Sequence, residues 1–535
     1  MTESGAGMAE ALPVFDLNAC DGVQDKQACG FKAHNLMRMA ALGLSVPTGF
    51  VLGTAWCQAM RCKATTADRL AGVLEDRIRL LEHQTGLGFG SSRRPLLVSV
   101  RSGAPVSMPG MMDTVLNVGL NEDSLTGLLR VTGDHRLVWD SYSRLIMAFA
   151  EIVAGVSVVP FEHALNTALR RSGAQTSREL DFRALRELAQ TFLALYQEHA
   201  GADFPRDPME QLRAATAAVF SSWTSEKALA YRSLNAIPDD IGTAVTVQRM
   251  VFGNASGNSG AGVGFTRDPA TGENRPYVDW LAHAQGEDIV SGRRRVDVEA
   301  QIPAWLMQKL GKIGDTLETA FRDAQEYEFT VENGELFMLQ TRSAKRTPLA
   351  ALRIAADQLE SGLITLEEAV ARVAAIELDE LIIRRIESSD APVGYATPAG
   401  VGVACGPAAL SQDAAKRFAD LGAPPILIRR EMATDDINAI TTASGILTAA
   451  GSRTAHAAVV ARQMGKVCLV GCRDLIVDEV AGQARVGQTV ISEGDPICLD
   501  ASAGAIYAGS PGIVSERPTE LIERVRRWRA RAASD

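Results

Sequence analysis

The sequence predicts a mixed α/β (α+β) chain with a large domain followed by a smaller one, and three features support this fold class. Short apolar runs that break into glycine and proline, such as residues 95–100, indicate buried strands that end in loops. Long amphipathic runs between residues 120 and 235 predict a helical subdomain within the large domain. From about residue 391, glycine, alanine and valine dominate, in short apolar runs that indicate the strands of the smaller domain. The other strands that such runs predict are 245–251, 263–266, 425–428, 445–448 and 467–470.

The composition is that of an ordinary globular protein. The chain has 535 residues, and at ~150 residues per domain this length suggests three or four domains. Hydrophobic residues make up 46% and charged residues 22%, which excludes a disordered chain and a fibrous repeat. The net charge of −10 argues against nucleic acid as the main partner, because a polyanion needs a cationic surface. A small anionic substrate remains compatible with this charge.

The cysteines and the N-terminus indicate a reducing compartment. None of the eight cysteines forms a C-x-x-C pair, so we expect free thiols and no disulfide bridges. The first twenty residues contain acidic residues and lack the basic start and apolar core of a secretory signal. No apolar stretch approaches the ~18 residues of a membrane span. We therefore expect a cytoplasmic protein without a membrane partner.

Changes in composition suggest where the domains begin and end. We expect residues 1–345 to form the large domain, with its helical subdomain at about 120–235, and residues 391–512 to form the smaller domain. Residues 346–390 are rich in alanine, leucine and glutamate and predict a helical linker.

Residues 513–535 predict a helical tail with one apolar face. That face carries Leu521, Ile522, Val525 and Trp528. It can fold back on its own domain or bury against a partner, and the sequence leaves both alternatives open.

The segment around His456 is the most specific feature of the sequence. A predicted strand ends near Thr448, Thr454 is a suitable N-cap, and a helix follows up to Gly465. His456 then lies in the first helical turn, where free backbone amides and the positive end of the helix dipole can receive an anion. An imidazole in that position can act as a nucleophile and carry a phosphoryl group. The alternative is a histidine that only packs or caps the helix.

This segment resembles the phosphohistidine motif of the family of pyruvate phosphate dikinase and phosphoenolpyruvate synthase. Residues 454–462 read Thr-Ala-His-Ala-Ala-Val-Val-Ala-Arg, with Ala455 where the family usually has serine. The segment Gly451-Ser452-Arg453 stands where the family usually has Gly-Gly-Met. The added cation, Arg453, could favour a phosphoryl group or mark a changed acceptor. Further resemblances lie at residues 30–36, 99–104, 107–114, 284–288 and 340–342. The resemblance implies an ATP-grasp-type nucleotide-binding domain followed by a swivelling phosphohistidine domain.

The resemblance also implies ATP-contacting residues. Lys32, Arg101 and Arg342 are cations that suit phosphates, although each alone could be a solvated surface charge. Phe31 and Ala33 replace family glycines beside Lys32, so we expect a stiffer loop there. The loop 253–262 resembles a lid that closes over phosphates, with a plain hairpin loop as the alternative. The remaining nucleotide candidates are Gly253, Gly257, Gly260, Gln285 and Glu287.

A hairpin at residues 326–342 predicts a metal site. A three-residue loop, 332–334, would place every even-numbered residue of the hairpin on one polar face. That face carries Glu326, Glu328, Gln340 and Arg342. Carboxylate and amide oxygens suit Mg²⁺, and the family places metal ligands at the positions of Glu328 and Gln340. The alternative is an ordinary solvated face.

These expectations combine into an ATP- and Mg²⁺-dependent phosphotransferase that phosphorylates His456 and releases AMP. Dikinases of this family end in a third domain, a barrel that binds phosphoenolpyruvate or pyruvate, and this sequence stops about where that domain would begin. We therefore expect an acceptor bound on a separate chain, with pyruvate as the default and another small hydroxyl or enol compound as an alternative. Inorganic phosphate is a further expected substrate, and water could take its place.

A protein of another class is the second hypothesis. A non-catalytic ATP-binding or regulatory phosphocarrier could have the same domains without turnover. The presence of His456, Arg101, Glu328, Gln340 and Arg342 argues against it, because a degenerate copy should have lost some of these residues.

Overall fold

The structure is a computed structural model that divides into two compact units. Unit 1 comprises Met1–Gly257 and Glu332–Gln340, and unit 2 comprises Asn258–Val331 and Thr341–Asp535. The residues described are 12–18, 22–62, 66–106, 108, 111–174, 176–290, 302–388, 390–432, 437–451, 456–478 and 481–532. Only the backbone is described at Cys62, Glu287, Val290, Ile437, Asn438, His456, Ala457, Val459 and Gln463.

Unit 1 combines strands with helices. Its strands are β1 (Val14–Asp16), β2 (Gly49–Leu52), β3 (Gly88–Phe89), β4 (Pro95–Leu96), β5 (Val98–Gly103), β6 (Thr114–Val118) and β7 (Ala244–Arg249). Its helices are α1 (Lys26–Cys29), α2 (Phe31–Ala41), α3 (Thr54–Cys62), α4 (Thr66–Thr85), α5 (Glu122–Thr132), α6 (His135–Ile152), α7 (Val159–Ser172), α8 (Phe182–Ala200), α9 (Pro208–Ser221) and α10 (Glu226–Leu234). Helices α5 to α10 all lie between β6 and β7, so the helical run predicted at 120–235 is helical in the structure.

An antiparallel sheet in the order β1-β2-β7-β5-β6 forms the centre of unit 1. Alternate residues of β5 and β7, among them Val98, Val100, Val245 and Val247, are fully buried in one hydrophobic core with the helices. Arg101 is the one residue of β5 that is not buried. The strand therefore presents this arginine from a rigid sheet.

Unit 2 begins with a second sheet, in the order β11-β10-β8-β9. Its strands are β8 (Gly260–Phe265), β9 (Tyr277–Ala282), β10 (Gln325–Glu332) and β11 (Glu335–Ser343), of which β11 lies partly in unit 1. Two helices, α11 (Gly286–Val290) and α12 (Ala304–Phe321), accompany it. Glycine occupies every second position of β8 because a Cβ at Gly260, Gly262 or Gly264 would lie 2.2–2.4 Å from an aromatic ring. These rings belong to Trp280, Phe329 and Tyr327.

The rest of unit 2 contains a sheet of eight strands that is nearly closed. Its order is β13-β23-β22-β15-β16-β17-β18-β14, and β15 to β18 pair in parallel. The edge strands β13 and β14 are separated by Ala396 alone, so one short segment pairs with both ends of the sheet. The strands are β13 (Gly394–Tyr395), β14 (Thr397–Pro398), β15 (Val403–Ala409), β16 (Ile426–Arg429), β17 (Gly445–Thr448), β18 (Val467–Val470), β22 (Pro496–Asp500) and β23 (Ala505–Ala508).

Helices and a small sheet complete this region. The helices are α15 (Gln412–Asp420), α16 (Ile437–Thr442) and α17 (His456–Gln463), and the small antiparallel sheet contains β19 (Leu475–Asp478), β20 (Gln483–Val486) and β21 (Thr489–Ser492). The predicted strands 445–448 and 467–470 coincide with β17 and β18. No helix within the described ranges is long and apolar enough to cross a membrane.

The linker and the tail share one hydrophobic cluster. The linker contains α13 (Pro348–Glu360), α14 (Leu366–Arg372) and β12 (Ile383–Glu387), and the tail contains β24 (Gly512–Glu516) and α18 (Thr519–Ala532). Ile522 and Val525 of α18 are buried against Leu352, Val373 and Leu378. The tail therefore folds back on its own chain, and the alternative in which this face is left for a partner is wrong.

Polar contacts fix the tail as well. Arg529 donates to the backbone carbonyls of Val373 and Ile376 just beyond α14, at 2.8 and 3.0 Å. Strands β12 and β24 pair antiparallel from Ile383 opposite Glu516 to Glu387 opposite Gly512. Residues 388–511 are thus connected at both ends through one two-stranded ribbon.

The expectation of free thiols throughout is wrong at one pair of cysteines. Cys405 in β15 and Cys498 in β22 lie directly opposite each other and form a disulfide. Two cysteines 93 positions apart in sequence become partners only through the register of these strands, which the spacing of cysteines does not reveal. Cys29, Cys57 and Cys468 are buried free thiols, and Cys472 is buried as well.

Candidate functional site

Gly30 lets helix α2 approach the end of strand β5 closely. Its φ is +80°, and a Cβ there would lie 1.8 Å from the carbonyl oxygen of Gly103. The next residue, Phe31, donates its N–H to the Ala104 carbonyl at 2.9 Å. Lys32 lies in the first turn of α2, with its Cβ 3.8 Å from a Cβ built on Gly103. Unit 1 thus places Lys32 beside the strand that carries Arg101.

The two residues that replace family glycines occupy helical positions. Phe31 and Ala33 belong to α2, and neither has a positive φ. Ala33 is fully buried, which accounts for a small side chain there. The segment is a helix start and not a loop, so the expected loss of loop flexibility has no consequence for these residues. Gly30, the position that requires glycine, is retained.

Arg101 lies among polar neighbours on its face of the sheet. Its direct partners in the neighbouring strands are Thr114 in β6 and Thr246 in β7. Its Nη1 donates to the carbonyl oxygen of Leu339 at 3.4 Å, one residue before Gln340. Unit 1 therefore brings Lys32, Arg101 and the backbone at Leu339 to one place.

The predicted three-residue hairpin loop is wrong. Strand β10 ends at Glu332 and β11 begins at Glu335, so the turn consists of Asn333 and Gly334. Both have positive φ, 52° and 84°, which is the conformation of a two-residue type I′ turn. Asn-Gly is the preferred pair for that turn because both residues tolerate positive φ.

Glu326 and Arg342 nevertheless lie on one face, as predicted, because the pairing of the two strands is irregular. A two-residue turn would place Glu326 opposite position 341, yet the N–H of Ala344 donates to the Ala324 carbonyl at 2.8 Å and Arg342 binds Glu326. Strand β11 therefore carries one extra residue, a β-bulge. Three consecutive buried residues at 336–338 break the alternation and mark its place. Alternation then places Glu328 on the face of Glu326, and Gln340 on the face of Arg342.

Glu326 and Arg342 form the electrostatic centre of this face. Arg342 Nη2 lies 2.5 Å from Glu326 Oε1, and Glu326 is only 4% exposed. Glu326 Oε2 is buried and has no hydrogen-bond partner among the described residues. Burial alone would lower the pKa of Arg342, but the carboxylates of Glu326 and Glu328 raise it. A buried carboxylate oxygen without a donor fits a cation, and it fits Mg²⁺ in particular because this ion prefers oxygen ligands.

The protein groups that could hold such a cation are few. Within the described ranges, no three histidine, cysteine, aspartate or glutamate side chains are grouped for metal binding. A site on the hairpin would therefore draw on Glu326, Glu328 and the amide of Gln340, with the rest of the coordination supplied by phosphates or water.

The glycine-rich loop begins and ends earlier in the chain than predicted. The preceding strand β7 ends at Arg249, and β8 already begins at Gly260. A Cβ at Gly257 would meet open space, so this glycine is free to face a ligand. Gly260 lies under the ring of Trp280, which accounts for that glycine by packing. Gly253 lies in the turn directly after Phe252.

In the segment 284–288, Ala284, Gln285 and Asp288 are buried. The N–H of Gln285 donates to the Asp288 carboxylate at 2.9 Å at the start of α11, and Gln285 is 4% exposed. The side chain of Glu287 lies outside the described part of the chain. The predicted role of both residues in nucleotide binding stays a prediction.

Helix α17 begins at His456, at the carboxyl ends of the parallel strands. In α/β sheets, ligands commonly bind at the carboxyl ends of parallel strands. Gly451 has a φ of +110° in the preceding turn. Arg453 and Thr454 lie outside the described residues, as does the side chain of His456, so their predicted roles stay predictions.

Two residues that the sequence did not single out have a visible role. Arg462 of α17 is buried and donates its Nε–H to the Ala399 carbonyl at 3.0 Å, which fixes the helix to the sheet edge. Glu332 binds the strand end that leads into the glycine-rich loop. Both of its partners lie about 80 residues earlier in the chain, so no local signal marked this residue.

Comparison with known proteins supports the resemblance. Residues 63–304 match the family described as pyruvate phosphate dikinase, AMP/ATP-binding domain, and residues 421–504 match that described as PEP-utilising enzyme, mobile domain. The chain is 41% identical over 509 residues to pyruvate, phosphate dikinase of Clostridium symbiosum, covering 93% of this chain and 58% of that protein. It is 40% identical over 513 residues to the Giardia intestinalis protein of that name, covering 94% and 58% respectively. The chain thus spans 58% of the length of each of these relatives.

Proposed function

We propose that this chain is a dikinase-type phosphotransferase that uses ATP and Mg²⁺ to phosphorylate His456. The observation that carries the proposal is the hairpin β10–β11, where a buried carboxylate oxygen of Glu326 lacks a donor and Arg342 lies beside it. Carboxylates and a fixed guanidinium together suit a magnesium–polyphosphate substrate. The similarity to pyruvate, phosphate dikinases supports the same assignment.

In this proposal the residues of unit 1 hold the phosphates. Lys32 supplies a point charge at the first turn of α2, and Arg101 supplies a planar guanidinium from the sheet. Both neutralise charge that develops as the phosphoanhydride bond breaks. Glu326, Glu328 and Gln340 would hold Mg²⁺, which would neutralise phosphate charge.

The expected products of the reaction, AMP and either diphosphate or phosphate, determine the chemistry at His456. An imidazole nitrogen of His456 attacks the β-phosphorus, and the bond to the α-phosphate breaks with release of AMP. The γ-phosphoryl then passes to inorganic phosphate, which gives diphosphate, or to water, which gives phosphate. The histidine keeps the β-phosphoryl group. The helix N-terminus at His456 would stabilise the added negative charge.

The second half of the proposal concerns the acceptor. We propose that residues 391–512 carry the phosphoryl group to an acceptor, pyruvate by default, whose site lies outside these residues and outside 1–345. The ribbon β12–β24 supports movement as a body, because both connections of the carrier region run side by side. The product-formation experiment below tests whether the acceptor site lies outside these residues.

Isotope labelling tests the histidine. The purified chain is incubated with β-labelled or γ-labelled ATP, with and without phosphate, and the protein-bound label is counted. We expect β-label that is stable in base and labile in acid, and its loss in His456→Ala. His163→Ala, an exposed histidine of α7, is the matched control and should label normally. Labelling of His456→Ala at the parent level would refute the assignment.

Product formation tests the acceptor. The chain is incubated with ATP, Mg²⁺, phosphate and pyruvate, and phosphoenolpyruvate and AMP are measured. We expect AMP release limited to one equivalent per chain and no phosphoenolpyruvate. Sustained phosphoenolpyruvate formation by the pure chain would refute an acceptor site outside residues 1–345 and 391–512.

A further inference from the structure

Glu332 joins the tip of the hairpin to the strand that leads into the glycine-rich loop. Its Oε1 accepts the N–H of Phe252 at 2.8 Å, and its Oε2 accepts from Arg249 Nη2 at 2.9 Å. The Glu332 side chain is 15% exposed, and that of Arg249 is 29% exposed. One carboxylate thus binds both ends of the segment 249–252.

The neighbouring packing holds Arg249 in this position. Its guanidinium lies 5.8 Å from the centre of the Phe337 ring, and Phe337 itself is buried. Val251 and Phe252 are 9% and 8% exposed, so the segment is packed as well as hydrogen-bonded. The chain therefore enters the loop from a fixed point.

The loop that follows is built on Phe252. Its turn is closed by a bond from the Ala255 N–H to the Phe252 carbonyl at 3.2 Å, so the turn starts directly at the residue that Glu332 holds. Beyond it, a Cβ at Gly257 would meet open space. Glu332 thus fixes the residue from which the loop starts.

We propose that Glu332 is a positioning residue that presets the glycine-rich loop for the phosphates of ATP. This inference rests on the proposed function, because it assigns the loop to that substrate. A loop that starts from a fixed point loses less conformational freedom when it closes on a ligand, so the residue acts through binding and not through the chemical step. Without Glu332, part of the binding free energy of ATP would go into fixing the start of the loop.

The side chain offers variants that separate its two bonds. Glu332→Ala removes both. Glu332→Gln retains a carbonyl oxygen for the Phe252 N–H and loses the charge opposite Arg249. Glu332→Asp is shorter by one methylene and cannot reach both donors, so it replaces the alanine variant if that variant fails to fold. Glu335→Ala, an exposed glutamate on the other side of the same turn, is the matched control.

The kinetic test measures the β-labelling reaction as a function of ATP concentration. We expect Glu332→Ala to raise the ATP concentration that gives half the maximal labelling rate about fivefold to tenfold, with the maximal labelling rate constant changed less than twofold, and Glu332→Gln to recover most of the difference. Glu335→Ala should match the parent. A half-saturating ATP concentration equal to that of the parent in Glu332→Ala or Glu332→Asp would overturn the proposal, even if thermal stability fell.

Hydrogen exchange of the chain without ATP gives a readout that does not require activity. We expect the amide of Phe252 to exchange at least tenfold faster in Glu332→Ala and to stay protected in Glu332→Gln. Unchanged protection in Glu332→Ala would overturn the proposal by itself. If the parent chain shows no labelling with ATP, the proposed function fails, whereas the exchange result still decides whether Glu332 fixes the loop.

Discussion

Arg342 binds Glu326 across the hairpin β10–β11, and the pair is compatible with the strand register only because β11 contains one extra residue. This relationship has a chemical consequence. The guanidinium occupies one oxygen of a buried carboxylate and leaves the other without a donor. In the protein alone, only one oxygen of the Glu326 carboxylate therefore has a partner, and a bound cation would supply the partner of the other.

The first prediction concerns this pair. Glu326→Gln should raise the Mg²⁺ concentration needed for half-maximal labelling by at least tenfold, because it removes the anionic oxygen. Arg342→Met should lower the free energy of unfolding by about 3 kcal/mol, because it leaves a buried carboxylate without its counter-charge. Mg²⁺ titration and urea unfolding measure the two effects, and Glu335→Gln is the exposed control on the same hairpin. An unchanged Mg²⁺ requirement in Glu326→Gln would contradict the metal assignment.

The second prediction concerns Gly30. Gly30→Ala should lower the free energy of unfolding by about 3 kcal/mol, because it combines a positive φ with a backbone clash at Gly103. Gly43→Ala is the matched control, with a φ of +77° and open space around it, and should cost about 1 kcal/mol. Gly30→Ala should also raise the ATP concentration that gives half the maximal labelling rate, because it displaces Lys32. Equal unfolding midpoints for the two variants would show that the close approach is unimportant.

The third prediction concerns the disulfide Cys405–Cys498. Its loss should lower the free energy of unfolding by about 3–5 kcal/mol, because the bond closes a loop of 93 residues in the unfolded chain. Urea midpoints with and without a thiol reductant measure the difference. The double variant Cys405→Ala/Cys498→Ala is the control and should not respond to reductant. If the reductant does not change the urea midpoint of the parent chain either, the bond does not form in solution.

The fourth prediction concerns the tail. Ile522→Ala should cost about 2–4 kcal/mol, because this side chain is buried against the linker helices. Ile513→Ala, at 42% exposure in the neighbouring strand, should cost less than about 0.5 kcal/mol. Thermal and urea unfolding compare them. A neutral Ile522→Ala would show that α18 is not packed on its own chain in solution.

The sequence predicts those parts of the fold that depend on local pattern. Strands such as β17 and β18 are short apolar runs between turns, and their ends coincide with the predicted ones. The start of α17 at His456 is likewise close to the predicted helix start.

The features that the sequence did not predict depend on partners distant in the chain. The pairing of Cys405 with Cys498 depends on the register of β15 and β22. The bulge in β11 depends on its surroundings as well, since the N–H of Met338 donates to the Ser45 carbonyl almost 300 positions earlier. Glu332 was missed for the same reason, because both of its partners lie about 80 residues upstream. Tertiary contacts determine these three features, and a local sequence pattern does not encode such contacts.

The ribbon β12–β24 makes the region between its strands a transferable cassette. Ile383 lies opposite Glu516 and Glu387 opposite Gly512, so the chain leaves and returns at the same point. A region whose ends meet can be excised or exchanged without lengthening any connection. Residues 388–511 could therefore be grafted into another scaffold that offers two adjacent antiparallel strands. A recombination event in evolution would likewise need to join the chain only at these two strands.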